Sequence, residues 1–314
     1  MSAPNDHLSD ENKKGKSANG KQNQDDMSSQ ILEHGDIFFF YRPKVAAREV
    51  TGLDDIRRFF MVTATDTRQP DTGTEGKTQV GTKNETQDPI PEMGPDGQTK
   101  PTTLSTWYRL FTIGKKSLPE VRHTEARRSE RYWAKIGGIF HDPKDLTNEL
   151  LSPEYREGDS ARPVGEGKYA IVSHKNHAEL AYILEMPKEP GRAQKELGIE
   201  KEASYIVSVI NPKVPVPDGY PSKEQPPEYP ESILVGLEPK ENFIPLSKDI
   251  RLIDYLNAQV ILIGAREGKD VLKKEIGIDI EDEEETEQTA DIYSKLQIEK
   301  KRTPVRPLVE GKFE

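Results

Sequence analysis

Asp36-Ile37-Phe38-Phe39-Phe40-Tyr41, closed by Arg42-Pro43, is the first apolar run of the chain. It is short, aromatic-rich and stopped by proline, which reads as a buried strand with Phe39 at its centre. Working outward, 57–65 (Arg-Arg-Phe-Phe-Met-Val-Thr-Ala-Thr) is a second strand. The stretch 50–56 between them is a turn with apolar anchors. Residues 1 to about 30 are Ser, Asn, Asp, Lys, Gln and Gly. They cannot bury enough apolar surface to offset ordering entropy, so the sequence predicts a disordered tail.

Beyond the second strand, 66–104 runs through Thr, Gly, Asp, Gln, Pro and Lys with almost no apolar residue. It reads as an insertion between paired strands, which a fold tolerates because loop closure costs only ~0.6 kcal/mol per doubling of length. Residues 107–113 form the third strand. Thr124 then caps a predicted helix carrying Trp133, Ile136 and Phe140 on one face, and Asp142-Pro143 opens another with Leu146, Leu150 and Leu151. After a connector at 152–165, strands are expected at 169–172, 180–186, 204–210 and 260–264, with short helices at 190–198 and 270–276. The acidic block 279–287 and the basic tail after it read as mobile.

The strand outline repeats. Residues 36–41 match 168–172, 57–65 match 179–186 and 107–113 match 204–210 in pattern, with little identity. The alternative is that two small mixed sheets look alike at this level. The expected fold is α+β: short mixed sheets with a few packed helices, in two similar lobes at 31–151 and 165–278.

The 314-residue chain has 33% hydrophobic and 32% charged residues, 24 Pro and no Cys. With Gly counted in place of Tyr the apolar share is roughly 37%, below the ~45–50% of globular chains. Part of the chain therefore carries no core. The absence of Cys excludes disulfides, zinc-thiolate sites and thiol nucleophiles. A formal net charge of −10 repels phosphate backbones and argues against sequence-independent nucleic-acid binding. No segment approaches the ~20 apolar residues of a membrane helix, and no leader pattern stands at the start. The expected location is the cytoplasm.

Few residues offer chemistry. His174-Lys175-Asn176-His177 is the one histidine pair with ligand-like spacing, with Glu179 the nearest carboxylate. Only a tight turn at Lys175-Asn176 could bring both rings together, so no metal site and no cofactor are expected. Glu185 would be ~20 Å along the strand. Arg42, Arg162 and Lys168 flank apolar strands and could present cations to an anionic ligand. Gly165-Glu166-Gly167 lacks the Lys-Ser/Thr of a phosphate loop and reads as a turn. No Gly-x-Ser-x-Gly occurs. The basic clusters Gly114-Lys115-Lys116 and Lys300-Lys301-Arg302 read as solvated faces.

The segments Gly35-Asp36-Ile37-Phe38-Phe39-Phe40-Tyr41-Arg42-Pro43, Ala161-Arg162-Pro163-Val164-Gly165-Glu166-Gly167, Glu202-Ala203-Ser204-Tyr205 and Leu262-Ile263-Gly264-Ala265 resemble a family of microbial and fungal proteins without an established function. The resemblance runs from residue 33 to about 280, and the stretch 66–104 departs from it. Some fungal relatives carry the label BTB-domain transcription factor, a fold dominated by helices where this core is dominated by strands. The resemblance implies no catalytic residue. The leading expectation is a non-catalytic binding or interaction protein with a protein or small-molecule partner. One alternative is a small-molecule enzyme with Arg42, Arg162, His174 and His177 between the lobes. The other is a nucleic-acid-associated regulator.

Overall fold

The computed structural model describes residues 30–45, 47, 49–67, 79–80, 106–121, 130–151, 160–174, 176–216, 225–267, 290–299 and 303–314. Its strands are β1 (Gln30–Pro43), β2 (Ile56–Thr65), β3 (Gln79–Val80), β4 (Trp107–Ile113), β5 (Arg131–Phe140), β6 (Arg162–His174), β7 (His177–Met186), β8 (Glu202–Ile210), β9 (Phe243–Pro245) and β10 (Gln259–Glu267). The helices are α1 (Pro143–Leu151), α2 (Arg192–Leu197), α3 (Glu231–Leu234), α4 (Asp291–Lys295) and α5 (Arg306–Glu310). The tail 1–29, most of the insertion, the helix expected at 270–276 and the acidic block lie outside the described residues.

Strands with a few helices are as the sequence leads one to expect, but the sheet is neither mixed nor split. β1, β2, β4 and β5 pair in that order, as do β6, β7, β8 and β10. β1 then pairs with β6 and β5 with β10, so eight antiparallel strands close into one barrel. The stretches 31–151 and 165–278 thus contribute four staves each to a single sheet. Closure gives every stave two neighbours and removes its free edges.

The pairing pattern of the halves is pseudo-two-fold, with the Asp36↔Lys168 and Trp133↔Ile261 pairs at its centres. The bulges obey the same relation. Leu32 in β1 answers Val164 in β6, and Gly137 in β5 answers Ala265 in β10. Gly35 and Gly167 are equivalent too. A Cβ on Gly35 would meet the Ala64 carbonyl of β2, and one on Gly167 would meet the Ile183 carbonyl of β7.

The first apolar run is continuous because β1 is buried on both faces. Ile37, Phe39 and Tyr41 belong to the inner cluster with Phe59, Met61, Trp107, Tyr169, Tyr182 and Tyr205. Phe38 and Phe40 belong to an outer cluster with Phe60, Val62, Tyr108 and Phe140, covered by Leu146 and Leu150 of α1, Ile292 and Leu296. An eight-stranded barrel is narrow enough for side chains to fill it. The strand-end loops contribute to the same inner cluster: Leu252, Ile253 and Tyr255 from one end, Leu118, Ala193 and Leu197 from the other.

Three sequence expectations need correction. The helix predicted through Trp133, Ile136 and Phe140 is strand β5. Its burial alternates through Tyr132, Ala134 and Ile136, and the bulge at Gly137 then shifts the phase by one. Gly165-Glu166-Gly167 is not a turn but part of β6, whose glycines allow close strand approach. The basic tail is not free over 290–299 and 303–314, where Ile292, Leu296, Ile298 and Leu308 are buried on the outer aromatic face. Asp142 does cap α1, accepting from Lys144 N at 2.8 Å.

Candidate functional site

β6 and β7 pair so that His174 and His177 stand opposite each other, the juxtaposition a metal site would need. The imidazole centroids are 5.0 Å apart with 29° between the planes. Glu179 is two residues along β7 and so shares the outer face with His177. Its Oε1 lies 3.1 Å from His177 Nε2, and its Oε2 accepts from Ser204 Oγ of β8 at 2.9 Å. The Glu179 side chain is only 6% exposed and His177 37%, while Ser204 is fully buried. One donor atom from each of His174, His177 and Glu179 lies within 4.8 Å of the other two. Such a set can share a proton or donate three ligands to a cation.

The other sequence candidates stand elsewhere. Arg42 and Arg162 are at the opposite end of the staves, and Arg162 is twelve residues from His174 on β6, about 40 Å at 3.3 Å per residue. Arg42 closes the C-terminus of α1. Its Nη2 donates to Glu149 O and Leu150 O at 2.9 Å, and its guanidinium lies 5.2 Å from the Phe60 ring centroid. Those carbonyls end the helix, where a cation is favoured, and Leu150 O also accepts from Ala161 N at 3.1 Å. Arg162 pairs across the ladder with Tyr41. Burial raises the Tyr41 phenol, and the Arg162 cation partly offsets that. The structure therefore does not gather Arg42, Arg162, His174 and His177 into one site.

Lys168 holds a strap. Its Nζ lies 2.8 Å from Asp36, 2.9 Å from Asp291 and 3.5 Å from Glu185. Lys295 Nζ meets Asp36 at 2.7 Å and Asp291 at 2.6 Å. Glu166, fully buried, accepts from Asp291 N and Ile292 N at the start of α4. Burial would lower the Lys168 pKa, yet its carboxylate partners raise it. Burial would raise Asp291, yet the bonds from Lys295 and Lys168 lower it. In the cluster at 114–116, Lys115 Nζ stands 3.9 Å from the Tyr132 ring centroid and Lys116 donates to Leu53 O.

A buried ionic network inside the barrel escaped the sequence reading. Arg109 makes a bidentate pair with Glu33 at 3.0 Å per arm, and also donates to Asp254 and Thr63 at 3.1 Å. Tyr169 donates to Glu33 at 2.6 Å. Burial would lower the Arg109 pKa, but Glu33 and Asp254 raise it. The Tyr169 phenol is raised well above its ordinary range, by burial first and then by Glu33. The signal was present: Arg109 alternates in phase with Trp107, Phe111 and Ile113. Its partners, 76 and 145 positions away, carried none.

Along β8, β9 continues the line of β7, because β10 occupies the other edge. An open groove of about 560 Å³ runs there, lined by Asn176, Glu241, Asn242, Phe243, Pro245, Ser247 and Lys248. No helix among the described residues is long and apolar enough to cross a membrane. Compared with known families, curated proteins and solved structures, the chain matches none.

Proposed function

We propose that the protein is a non-catalytic binding protein, with the barrel as a rigid scaffold and recognition at the hairpin end. The observation that carries this is the division of the candidate side chains. The arginines are spent at one end on a helix terminus and a buried tyrosine, while the histidines stand at the other beside an open groove. A filled barrel interior supports the same reading, since it leaves the outer surface as the place for a ligand. The groove offers an amide pair, a carboxylate, an ammonium, a hydroxyl and one phenyl ring, a mixture suited to a small polar ligand or a partner's polar side chains.

The test is a fragment screen of polar small molecules by amide chemical-shift mapping. Hits that perturb Asn176 and 241–248 support the reading. Hits confined to the Arg42–Arg162 end, or conversion of a hit to a new species, would overturn it.

A further inference from the structure

We infer that His174, His177 and Glu179 form a binding site for a divalent first-row transition metal, with Ser204 as the positioning residue that orients the carboxylate. The inference goes beyond the binding-protein reading and does not rest on it.

The β6–β7 ladder sets residues 174 and 177 opposite each other, and both rings stack on one side at 5.0 Å. The alternation of β7 brings Glu179 to the same face two residues on. The three donors therefore come from one rigid two-stranded unit. Neighbouring ligand atoms of a tetrahedral ion with bonds of ~2.0–2.1 Å are about 3.3 Å apart. His177 Nε2 and Glu179 Oε1 are already at 3.1 Å, and the whole set lies within 4.8 Å. The remaining gap is on the scale of a side-chain torsion, which a binding ion would have to draw in.

Charge points the same way. Glu179 is a buried carboxylate, and burying such a charge is costly unless a cation compensates it. The basic side chains placed beside it are those of His177 and His174. A divalent ion held between the two imidazoles and the carboxylate gives that buried charge a cation partner. The second carboxylate oxygen is held by buried Ser204, the kind of outer partner that orients a ligand. Two imidazoles and one carboxylate, with positions left open to water, suit Zn²⁺, Co²⁺, Ni²⁺ or Fe²⁺ rather than Ca²⁺ or Mg²⁺, which prefer all-oxygen shells. The acidic net charge favours cations at the surface.

The test is calorimetric titration of tag-free, full-length protein with Zn²⁺ and Co²⁺ alone, with the visible Co²⁺ spectrum as a signature of nitrogen ligation. About one ion per chain at micromolar affinity is expected. His174→Gln with His177→Gln should weaken binding at least about 100-fold, because one protein donor remains. Ser204→Ala should weaken it about 10-fold or more. The histidines are half-exposed at a hairpin tip, so the double variant keeps its fold, which far-UV circular dichroism checks. No binding up to millimolar metal, or affinity within about threefold of the parent in the double variant, overturns the inference. The ion alone is the probe, so either result leaves the groove to its own screen.

Discussion

Replacing Arg109 by Met is expected to be among the most damaging single changes in the chain. The guanidinium is fully buried and makes four hydrogen bonds, two to Glu33, one to Asp254 and one to Thr63. It also stacks over Trp107, 4.5 Å from the ring centroid. Methionine fills part of the volume but leaves two carboxylates facing each other inside the barrel, with Tyr169 still donating to Glu33. Breaking a buried pair by removing one partner costs about 3–5 kcal/mol. Whole-protein stabilities are only about 5–15 kcal/mol, so the variant should be marginal. With a urea m-value of about 3 kcal/mol/M, the midpoint should fall by roughly 1–1.7 M. The assay is equilibrium urea unfolding followed by tryptophan fluorescence, for which Trp107 is a reporter inside the network. A second variant separates charge from packing. Arg109→Met combined with Glu33→Gln and Asp254→Asn removes the stranded charges and should recover most of the loss. A loss under about 1 kcal/mol in the single variant, or a triple variant no better than the single one, would refute the reasoning.

Three further outcomes follow from the same geometry. Gly35→Ala and Gly167→Ala each drive a Cβ into a neighbouring strand's carbonyl and should destabilise by about 1–3 kcal/mol each in urea unfolding; a neutral result at either would contradict the two-fold equivalence of these positions. Arg42→Ala removes the cation that closes α1 and should cost about 1.5–3 kcal/mol, with faster amide exchange in 147–151; unchanged exchange there would count against the capping role. The α4 strap should loosen in acid. Asp291 is held below its ordinary 3.8, so its contribution is present above that value and is lost as pH falls through the lowered one, whereas raised Lys168 keeps its charge throughout this range. The Ile292 methyl resonance should therefore move toward its random-coil position between about pH 4 and pH 2, and a resonance that stays put while the barrel remains folded would exclude the ionic strap.

Several staves were legible because local pattern carries them. The run at 36–41 is buried on both faces and ends at a proline, and 107–113 coincides with β4. β5 was not legible. Trp133, Ile136 and Phe140 satisfy a helical spacing, and the bulge at Gly137 hides the two-residue period that would have revealed a strand. Phe40 and Ile292 were hard to connect for a different reason. Residues 290–310 look polar, and their few apolar positions gain meaning only against the outer aromatic face.

The sequence by itself determined the centres of several strands, the absence of thiol chemistry, and a three-strand pattern that recurs in the two halves. Each of these rests on residue type and near-neighbour spacing. The tertiary structure alone decided that the halves close on each other through Asp36↔Lys168 and Trp133↔Ile261 rather than forming separate lobes. It also decided that Glu33, Arg109 and Asp254 meet in the interior, and that Arg42 and Arg162 part company with the histidines. The physical reason is that periodicity tells a strand which face to bury but not which strand lies beside it. That choice depends on closing a ring of eight edges at once, between residues more than a hundred positions apart.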